Sequence, residues 1–231
     1  MPNAGRITTT VLRRLILSSV VFVVVLFAAL FLPAGDIRWA KGWLFILAQL
    51  GLMVLAGAYL WRVNPDIFIA RSKIQVGTKG WDKVLVSVLL LSYMAAFPVA
   101  AFDDGRFHWS NAPLWVVAFG YISLCLGFFV ITWVEKVNKF AEPGVRIHSE
   151  QKVIDTGPYA IVRHPMYLGA IPYFVGTALA LGSYWALIPA AIATLILVPR
   201  TMMEDKSLHE ELEGYKEYAA RVRYRLIPII W

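Results

Sequence analysis

The sequence predicts an all-α fold: a polytopic membrane helical bundle with four spans, a carboxyl-proximal helical hairpin and a cytoplasmic amphipathic tail helix. Two observations lead to this prediction. Of the 231 residues, 59% are hydrophobic and 16% are charged, whereas a soluble domain carries about 25% charged residues. Apolar runs close to the roughly 20 residues that cross a hydrocarbon core recur along the chain, and no Lys or Arg lies inside them.

Four apolar runs are long enough to form one span each. They are Leu15–Leu32, Trp43–Trp61, Val84–Phe102 and Leu114–Val134. The first is too long for the apolar region of a signal peptide and no small-residue cleavage pattern follows it. We therefore expect it to be a helix of the mature protein.

Two shorter apolar runs follow, Leu168–Leu181 and Trp185–Val198. Each is short for a lone span, so they predict an intramembrane hairpin whose two ends lie on the same side. The tail from Arg200 to Val222 has apolar residues at steps of three and four, which predicts an amphipathic helix. Gly214 inside this tail costs about 1 kcal/mol of helix stability relative to alanine.

The basic residues predict the orientation of the bundle. Residues 1–14, 62–83, 135–167 and 199–231 hold 19 of the 22 Lys and Arg residues, and the segments between them hold few. The positive-inside rule therefore places these four segments, and with them the amino terminus, in the cytoplasm of a bacterial inner membrane or an endomembrane. The net charge of +7 indicates contact with a lipid membrane rather than with nucleic acid.

The sequence lacks the motifs of several common catalytic and nucleotide-binding sites. There is no G-x-G-x-x-G, P-loop or G-x-S-x-G pattern, and the four histidines lack metal-ligand spacing. We therefore expect no bound metal. Cys125 is the only cysteine, which excludes an intrachain disulfide; its place inside an apolar run predicts a small buried side chain.

The polar residues that could do chemistry are concentrated in the second part of the chain. We divide the sequence into scaffold helices, residues 1–134, and a catalytic region, residues 135–231, within one structural domain. The loop from Glu135 to Arg163 is long for a connector, and long ordered loops are usually functional. Its segment Val145–His148 alternates apolar and polar residues, which predicts a short extended stretch.

The segment Gly157–Gly169 is the most informative part of the sequence. Pro165 disfavours a helical conformation at His164 and is itself a good first helical residue, so a helix is predicted to start near Met166. Its free amides and positive dipole end favour a carboxylate. An interface histidine or an aromatic belt would explain each residue singly, but their concentration in one segment predicts a polar site.

A second polar cluster, Arg200–Asp205, follows the hairpin. Arg200 and Glu204 lie one helical turn apart on the same face. A plain ion pair at the end of a membrane helix is the simplest interpretation. Ionisable groups near membrane depth are nevertheless often functional, and this cluster meets the first one at the same cytoplasmic face.

Together these residues resemble the isoprenylcysteine carboxyl methyltransferase family of integral membrane enzymes, which is related to the phospholipid N-methyltransferases. The shared pattern is Gly-x-Tyr-x-x-x-Arg-His-Pro-x-Tyr-x-Gly at Gly157–Gly169, then Arg-x-x-x-Glu-acid at Arg200–Asp205. Gly214, Tyr218, Arg225 and Pro228 complete it. Asp205 replaces a second glutamate of many relatives, and Gln151 replaces a frequent histidine.

The resemblance implies S-adenosylmethionine as the methyl donor. The cofactor-binding residues that it implies are Gln151, Lys152, Val153, Ile154, Tyr159, His164, Pro165, Met166, Tyr167 and Glu204. It also implies that Arg200 faces the substrate, and we predict Arg200, Glu204 and Arg163 to be catalytic. Arg200 could hold an acceptor carboxylate by a forked contact, and such an acceptor needs no general base.

Other functions stay open at this point. An amine acceptor such as an aminophospholipid would also fit, although an amine has to lose a proton. Membrane reductases that use NADPH have a similar carboxyl-terminal helical core. A scaffold or transporter without a cofactor is the third class. We expect a lipophilic acceptor that enters from the bilayer.

Overall fold

A computed structural model describes residues 9–71 and 77–231, and within these ranges it is helical without any β-strand. The predicted all-α bundle is therefore confirmed. Its helices are α1 (Thr9–Ala34), α2 (Ala40–Val63), α3 (Asp66–Arg71), α4 (Gly80–Ala100), α5 (Leu114–Val137), α6 (Pro165–Ala180), α7 (Leu187–Glu211) and α8 (Tyr215–Arg221). A π-helical turn, Ala101–Phe107, extends α4, and a 3-10 turn, Gly157–Ala160, precedes α6.

Five helices of the described part are long and apolar enough to cross a membrane. Four of them, Leu12–Ala34, Ala40–Val63, Gly80–Phe107 and Leu114–Val137, correspond to the predicted spans. The fifth, Leu187–Glu211, contains the second half of the predicted hairpin. The chain is thus built as an integral membrane protein.

The hairpin of α6 and α7 runs the whole length of the bundle. At its tip, the Ser183 hydroxyl donates to Asp103 Oδ2 over 2.5 Å and the Tyr184 amide donates to Ser110 Oγ over 3.1 Å. Asp103 and Ser110 belong to the connection between α4 and α5, at the far end of the bundle from Pro165. The two runs that looked short for spans therefore reach from one end of the bundle to the other.

The predicted tail helix from Arg200 to Val222 is wrong in its boundaries. Residues 200–211 continue α7, because the charged residues of this stretch find buried partners instead of ending the helix. The chain turns at Gly214, whose φ of +78° is a conformation that glycine adopts without strain. The short α8 follows and packs Tyr215 and Tyr218 against Leu212.

Close packing between α5 and α6 fixes the position of the first polar cluster, Gly157–Gly169. A Cβ added at Gly127 would lie 2.5 Å from the Gly169 carbonyl oxygen, and one at Gly176 would lie 2.4 Å from the Leu124 amide nitrogen. Small residues let membrane helices approach this closely. The start of α6 is thereby held against the end of α5.

Cys125 does not have the buried position that we predicted. Its side chain is exposed on the outer surface of α5. A membrane helix can be apolar on every side, so the apolar run around this residue could not show which side faces the other helices and which faces lipid.

Candidate active site

A cavity of about 880 Å³, counted with its open mouth, lies at the end of the bundle where α5 ends and α6 begins. Its wall also includes the second half of α7 and the loop after α5. All twelve site residues predicted from the sequence line this one cavity: Gln151, Lys152, Val153, Ile154, Tyr159, Arg163, His164, Pro165, Met166, Tyr167, Arg200 and Glu204.

The start of α6 has nearly the predicted geometry. Pro165 is the first helical residue, and His164 has a non-helical φ of −122° and ψ of 62°. The amides of Tyr167 and Leu168 both donate to the His164 carbonyl, over 3.1 and 3.2 Å. Since proline has no amide hydrogen, Met166 supplies the one free backbone donor of this helical turn, not the row of donors that we expected.

Glu204 is one of two glutamates that line the cavity; the other, Glu142, pairs with His148 over 3.0 Å. The Tyr167 hydroxyl donates to the Oε2 atom of Glu204, and His164 Nδ1 lies 3.5 Å from the same oxygen. Oε1 takes part in neither contact. One carboxylate oxygen is therefore available to a cationic group in the cavity.

Arg200 pairs with Asp82 and not with Glu204, so the simple one-turn ion pair is wrong. Its Nε and Nη2 atoms donate to the two Asp82 oxygens over 2.7 and 3.1 Å, and Nη2 also donates to the Pro143 carbonyl over 2.7 Å. The guanidinium lies over the Tyr167 ring, 4.9 Å from its centre. These hydrogen bonds use Nε and Nη2, so Nη1 is the nitrogen that remains for a further ligand.

Asp82 is the residue that the sequence analysis missed. It is fully buried, and besides Arg200 it accepts a hydrogen bond of 2.6 Å from the Val145 amide. It sits in the first turn of α4, next to the apolar run that begins at Val84. An acidic residue beside a membrane span is a signal that could have identified it.

Asp205 joins the two predicted clusters. Its oxygens accept from Arg163 Nη1 at 2.9 Å, Arg225 Nε at 3.0 Å and the Tyr215 hydroxyl at 2.9 Å, and His164 Nε2 lies 3.4 Å away. The carboxylate is almost completely buried. Arg163, which we predicted to be catalytic, is thus bound to Asp205 and, over 3.3 Å, to the Arg223 carbonyl; its catalytic role stays a prediction.

The carboxyl-terminal segment braces the start of α6. The amides of Arg163 and His164 donate to the carbonyls of Tyr224 and Arg225, both over 2.9 Å. The Tyr218 hydroxyl donates to the Tyr159 carbonyl over 2.8 Å. The last part of the chain thereby fixes the backbone on which the polar residues of the cavity stand.

Tyr159 lies on the side of the cavity next to α5. Asn138, just after α5, donates to the Tyr159 hydroxyl over 2.6 Å. Burial raises the pKa of Tyr159, and the nearby Glu204 raises it further, although the bond from Asn138 acts in the opposite direction. The phenol is therefore neutral and has its own hydrogen left to donate.

The loop from residue 145 to residue 154 forms the remaining wall. The stretch Val145–His148, which we predicted to be extended, lies outside any helix or strand, and the Val145 carbonyl accepts from the Lys79 amide over 3.1 Å. Gln151 bonds back to His148, through its side-chain oxygen over 3.2 Å and its amide over 3.0 Å. Val153 and Ile154 add apolar surface to the cavity, and Val153 packs against the same apolar cluster as Leu208.

The stability of this site is expected to fall as pH rises through the neutral range. Burial disfavours the charged form of His164, but its bonds to Asp205 and Glu204 outweigh burial and raise its pKa above the usual 6.5. The native state then binds the proton more tightly than the unfolded chain does. The contribution of the His164 proton to folding stability is complete below the pKa of the unfolded state and is lost above the pKa of the native state.

Thermal unfolding measured from about pH 6 to pH 9 checks this expectation. The wild-type unfolding temperature should decline more steeply over this interval than that of the His164→Asn variant. His108, which is exposed and bonds to the Asp104 carbonyl over 2.6 Å, provides the control variant His108→Asn. Equal slopes in all three proteins would show that His164 does not carry the proton.

Comparison with known families adds one finding. Residues 115–213 match the family model described as phospholipid methyltransferase. The match begins in the first turn of α5 and ends just after α7, so it includes the loop, the start of α6 and the Arg200–Asp205 cluster, but less than half of the chain. None of the curated proteins matches the chain.

Among the described residues, no group of three His, Cys, Asp or Glu side chains is placed to hold a metal ion.

Proposed function

We propose that this protein is an integral membrane methyltransferase that uses S-adenosylmethionine and acts on a lipophilic acceptor. The observation that carries the proposal is the convergence of all twelve predicted residues on one cavity at the end of a membrane bundle. The match of residues 115–213 to the phospholipid methyltransferase family also supports it. The distribution of basic residues supports a cytoplasmic position for this end of the bundle.

The donor set of the cavity fits the proposed cofactor. Glu204 offers its free oxygen to the ammonium group of the methionine part, and the Met166 amide offers a hydrogen to the carboxylate. Val153, Ile154 and Leu208 form an apolar wall for the adenine ring. When bound, S-adenosylmethionine supplies a methyl group on a positively charged sulfur, which leaves with the electron pair of the broken carbon–sulfur bond.

The residues of the chain would then act mainly by alignment. Methyl transfer requires the acceptor atom to stand in line with the bond that breaks, and correct positioning alone can lower a barrier by several kcal/mol. His164 and Tyr167 hold Glu204 on Oε2, while Asp205 and the carboxyl-terminal segment hold His164 and Arg163. These contacts fix the walls of the cavity before any ligand enters.

Two acceptor chemistries have different support. The resemblance noted above favours a carboxylate, which Arg200 could bind through Nη1. The pairing of Arg200 with Asp82 favours an amine, because the fork that a carboxylate would use is already filled. The description of the matched family, phospholipid methyltransferase, supports a phospholipid acceptor, and an amine group on such an acceptor would have to lose a proton.

Transfer of a labelled methyl group tests the proposal and separates these acceptors. The purified protein in nanodiscs is incubated with methyl-labelled S-adenosylmethionine and either an S-farnesyl cysteine derivative or phosphatidylethanolamine. A methyl ester releases its label as methanol in mild base, whereas an N-methyl product keeps it. The proposal is contradicted if neither acceptor becomes labelled and no lipid extracted from the expression host does.

Asp82→Asn is expected to lower turnover at least about tenfold while it changes the affinity for S-adenosylmethionine little. The substitution leaves the buried Arg200 charge without its carboxylate partner, and the loss of such a partner costs about 3–5 kcal/mol of folding stability. Because the guanidinium then loses the contact that fixes its position, we expect the effect to appear in turnover. Asp82 contacts Arg200 and Val145, not Glu204. Separate measurements of kcat and of donor affinity check this, with Asp36→Asn in the exposed pair with Arg38 as control. Loss of donor affinity alone would contradict the assigned position.

A further inference from the structure

An apolar groove runs along the outer surface of the bundle between α2 and α5. Leu55 and Tyr59 line one side, and Cys125, Phe129, Trp133 and Lys136 line the other. With its open side included, the groove measures about 900 Å³. The side chains on each wall recur at helical spacing, so the groove follows the two helix axes.

The length of the groove matches one leaflet of a bilayer. Cys125 and Lys136 mark its two ends on α5, and eleven residues of helix rise about 16 Å. Half of a hydrocarbon core is about 15 Å thick. With Lys136 near the surface, Cys125 therefore lies near the middle of the membrane, and one hydrocarbon chain fits between them.

The groove has a charged group at only one end. The Lys136 ammonium lies 5.8 Å from the centre of the Tyr59 ring. The neighbouring acid, Glu135, pairs instead with Arg71 over 2.8 Å. Among the described residues Lys136 has no carboxylate partner, so its charge is free for an anionic group.

This charged end adjoins the candidate active site. Asn138, two residues after Lys136, lines the cavity and donates to the Tyr159 hydroxyl. Trp133 packs against Gly157, where an added Cβ would lie 3.2 Å from the indole Nε1. Leu60 and Val134, which follow Tyr59 and Trp133 directly, form an apolar cluster with Tyr159. The groove and the cavity thus share a wall at the end of α5.

We propose that this groove is the docking site of the acceptor. A single hydrocarbon chain lies between α2 and α5, and its anionic head group is held by Lys136, from where it reaches the cavity past Trp133 and Asn138. This inference rests on the proposed function and names the acceptor as an anionic amphiphile. A lipid that merely coats the protein would prefer a negative head group whether or not Lys136 is present, whereas the preference of an occupant held by Lys136 depends on that residue.

Cys125 allows a direct test because it is the only cysteine of the chain and is exposed in the groove. The full-length protein in phosphatidylcholine nanodiscs is alkylated with N-ethylmaleimide in the presence of tetradecyl phosphate or tetradecanol. We expect the phosphate to slow alkylation saturably and at least about tenfold more effectively than the alcohol. Lys136→Gln should remove the difference, whereas Lys206→Gln, in an exposed pair with Glu210, should preserve it.

A second measurement connects the groove to catalysis. Coupling a tetradecyl thiol reagent to Cys125 should abolish methyl transfer to the acceptor while S-adenosylmethionine binds as before. Equal protection by phosphate and alcohol, or protection that persists in Lys136→Gln, would overturn the groove proposal even when the donor binds. Protection by the phosphate in a protein that binds no S-adenosylmethionine would instead overturn the proposed function, and with it the acceptor assignment.

Discussion

Replacing Glu204 with glutamine is expected to weaken binding of S-adenosylmethionine about 100-fold. The loss of one partner from a buried, hydrogen-bonded charge pair costs about 2–5 kcal/mol, and each 1.4 kcal/mol corresponds to a factor of ten in affinity. Glutamine keeps the size of the side chain and still accepts from the Tyr167 hydroxyl. The change therefore removes the charge that would meet the ammonium group while the cavity keeps its shape.

Calorimetry on the purified protein measures this effect. Glu211→Gln is the matched control, because Glu211 ends the same helix and its half-exposed side chain pairs with Lys79 outside the cavity. Tyr167→Phe, which removes only the donor on Oε2, should give an intermediate loss. Unchanged affinity in Glu204→Gln would mean that the ammonium group binds elsewhere.

Asp205→Asn is expected to destabilise the protein by about 3–5 kcal/mol, since it breaks a buried charge network. The amide group would face the Arg163 and Arg225 donors, which lie within 3.1 Å of the present carboxylate. For a chain of this size, 1 kcal/mol lowers the unfolding temperature by about 2–4 °C. The expected decrease is therefore about 10 °C.

Thermal unfolding in detergent tests this expectation, with Asp155→Asn as the control. Asp155 also accepts from an arginine, Arg221, over 2.9 Å, but this pair is solvent-exposed, and exposed pairs contribute about 0–1 kcal/mol. A decrease of similar size in both variants would contradict the role of Asp205 as the group that joins α6, α7 and the carboxyl-terminal segment.

Local sequence signals predicted the parts of this structure that depend on neighbouring residues. The four spans follow from run length and hydropathy, and the start of α6 follows from the effect of Pro165 on His164. The grouping of the two polar clusters was predictable because both flank the same pair of apolar runs. Their side chains do line one cavity.

The pairing of the polar side chains could not be predicted in this way. Arg200 has an acidic neighbour one turn away in Glu204, yet its partner is Asp82, 118 positions distant in the sequence. The choice depends on how α4 packs against α7, which no local pattern encodes. Asp205 likewise looked like a mild replacement for glutamate, but it binds Arg163 and Arg225 from two distant segments.

The end of α7 and the position of Cys125 show the same limit. Charged residues after Val198 indicated the end of a span, but buried partners let the helix continue to Glu211. An apolar run shows that a helix lies in the membrane without showing which of its sides faces lipid, so Cys125 could equally have been buried or exposed.

Binding of S-adenosylmethionine to the purified wild-type protein tests the central claim most directly. Calorimetric titrations with S-adenosylmethionine, S-adenosylhomocysteine and NADPH are compared in the same detergent. The proposed methyltransferase binds the first two saturably and with one site per chain, and it does not bind NADPH. Binding of NADPH alone would place the protein among the reductases, and binding of none of the three would contradict a cofactor site in this cavity.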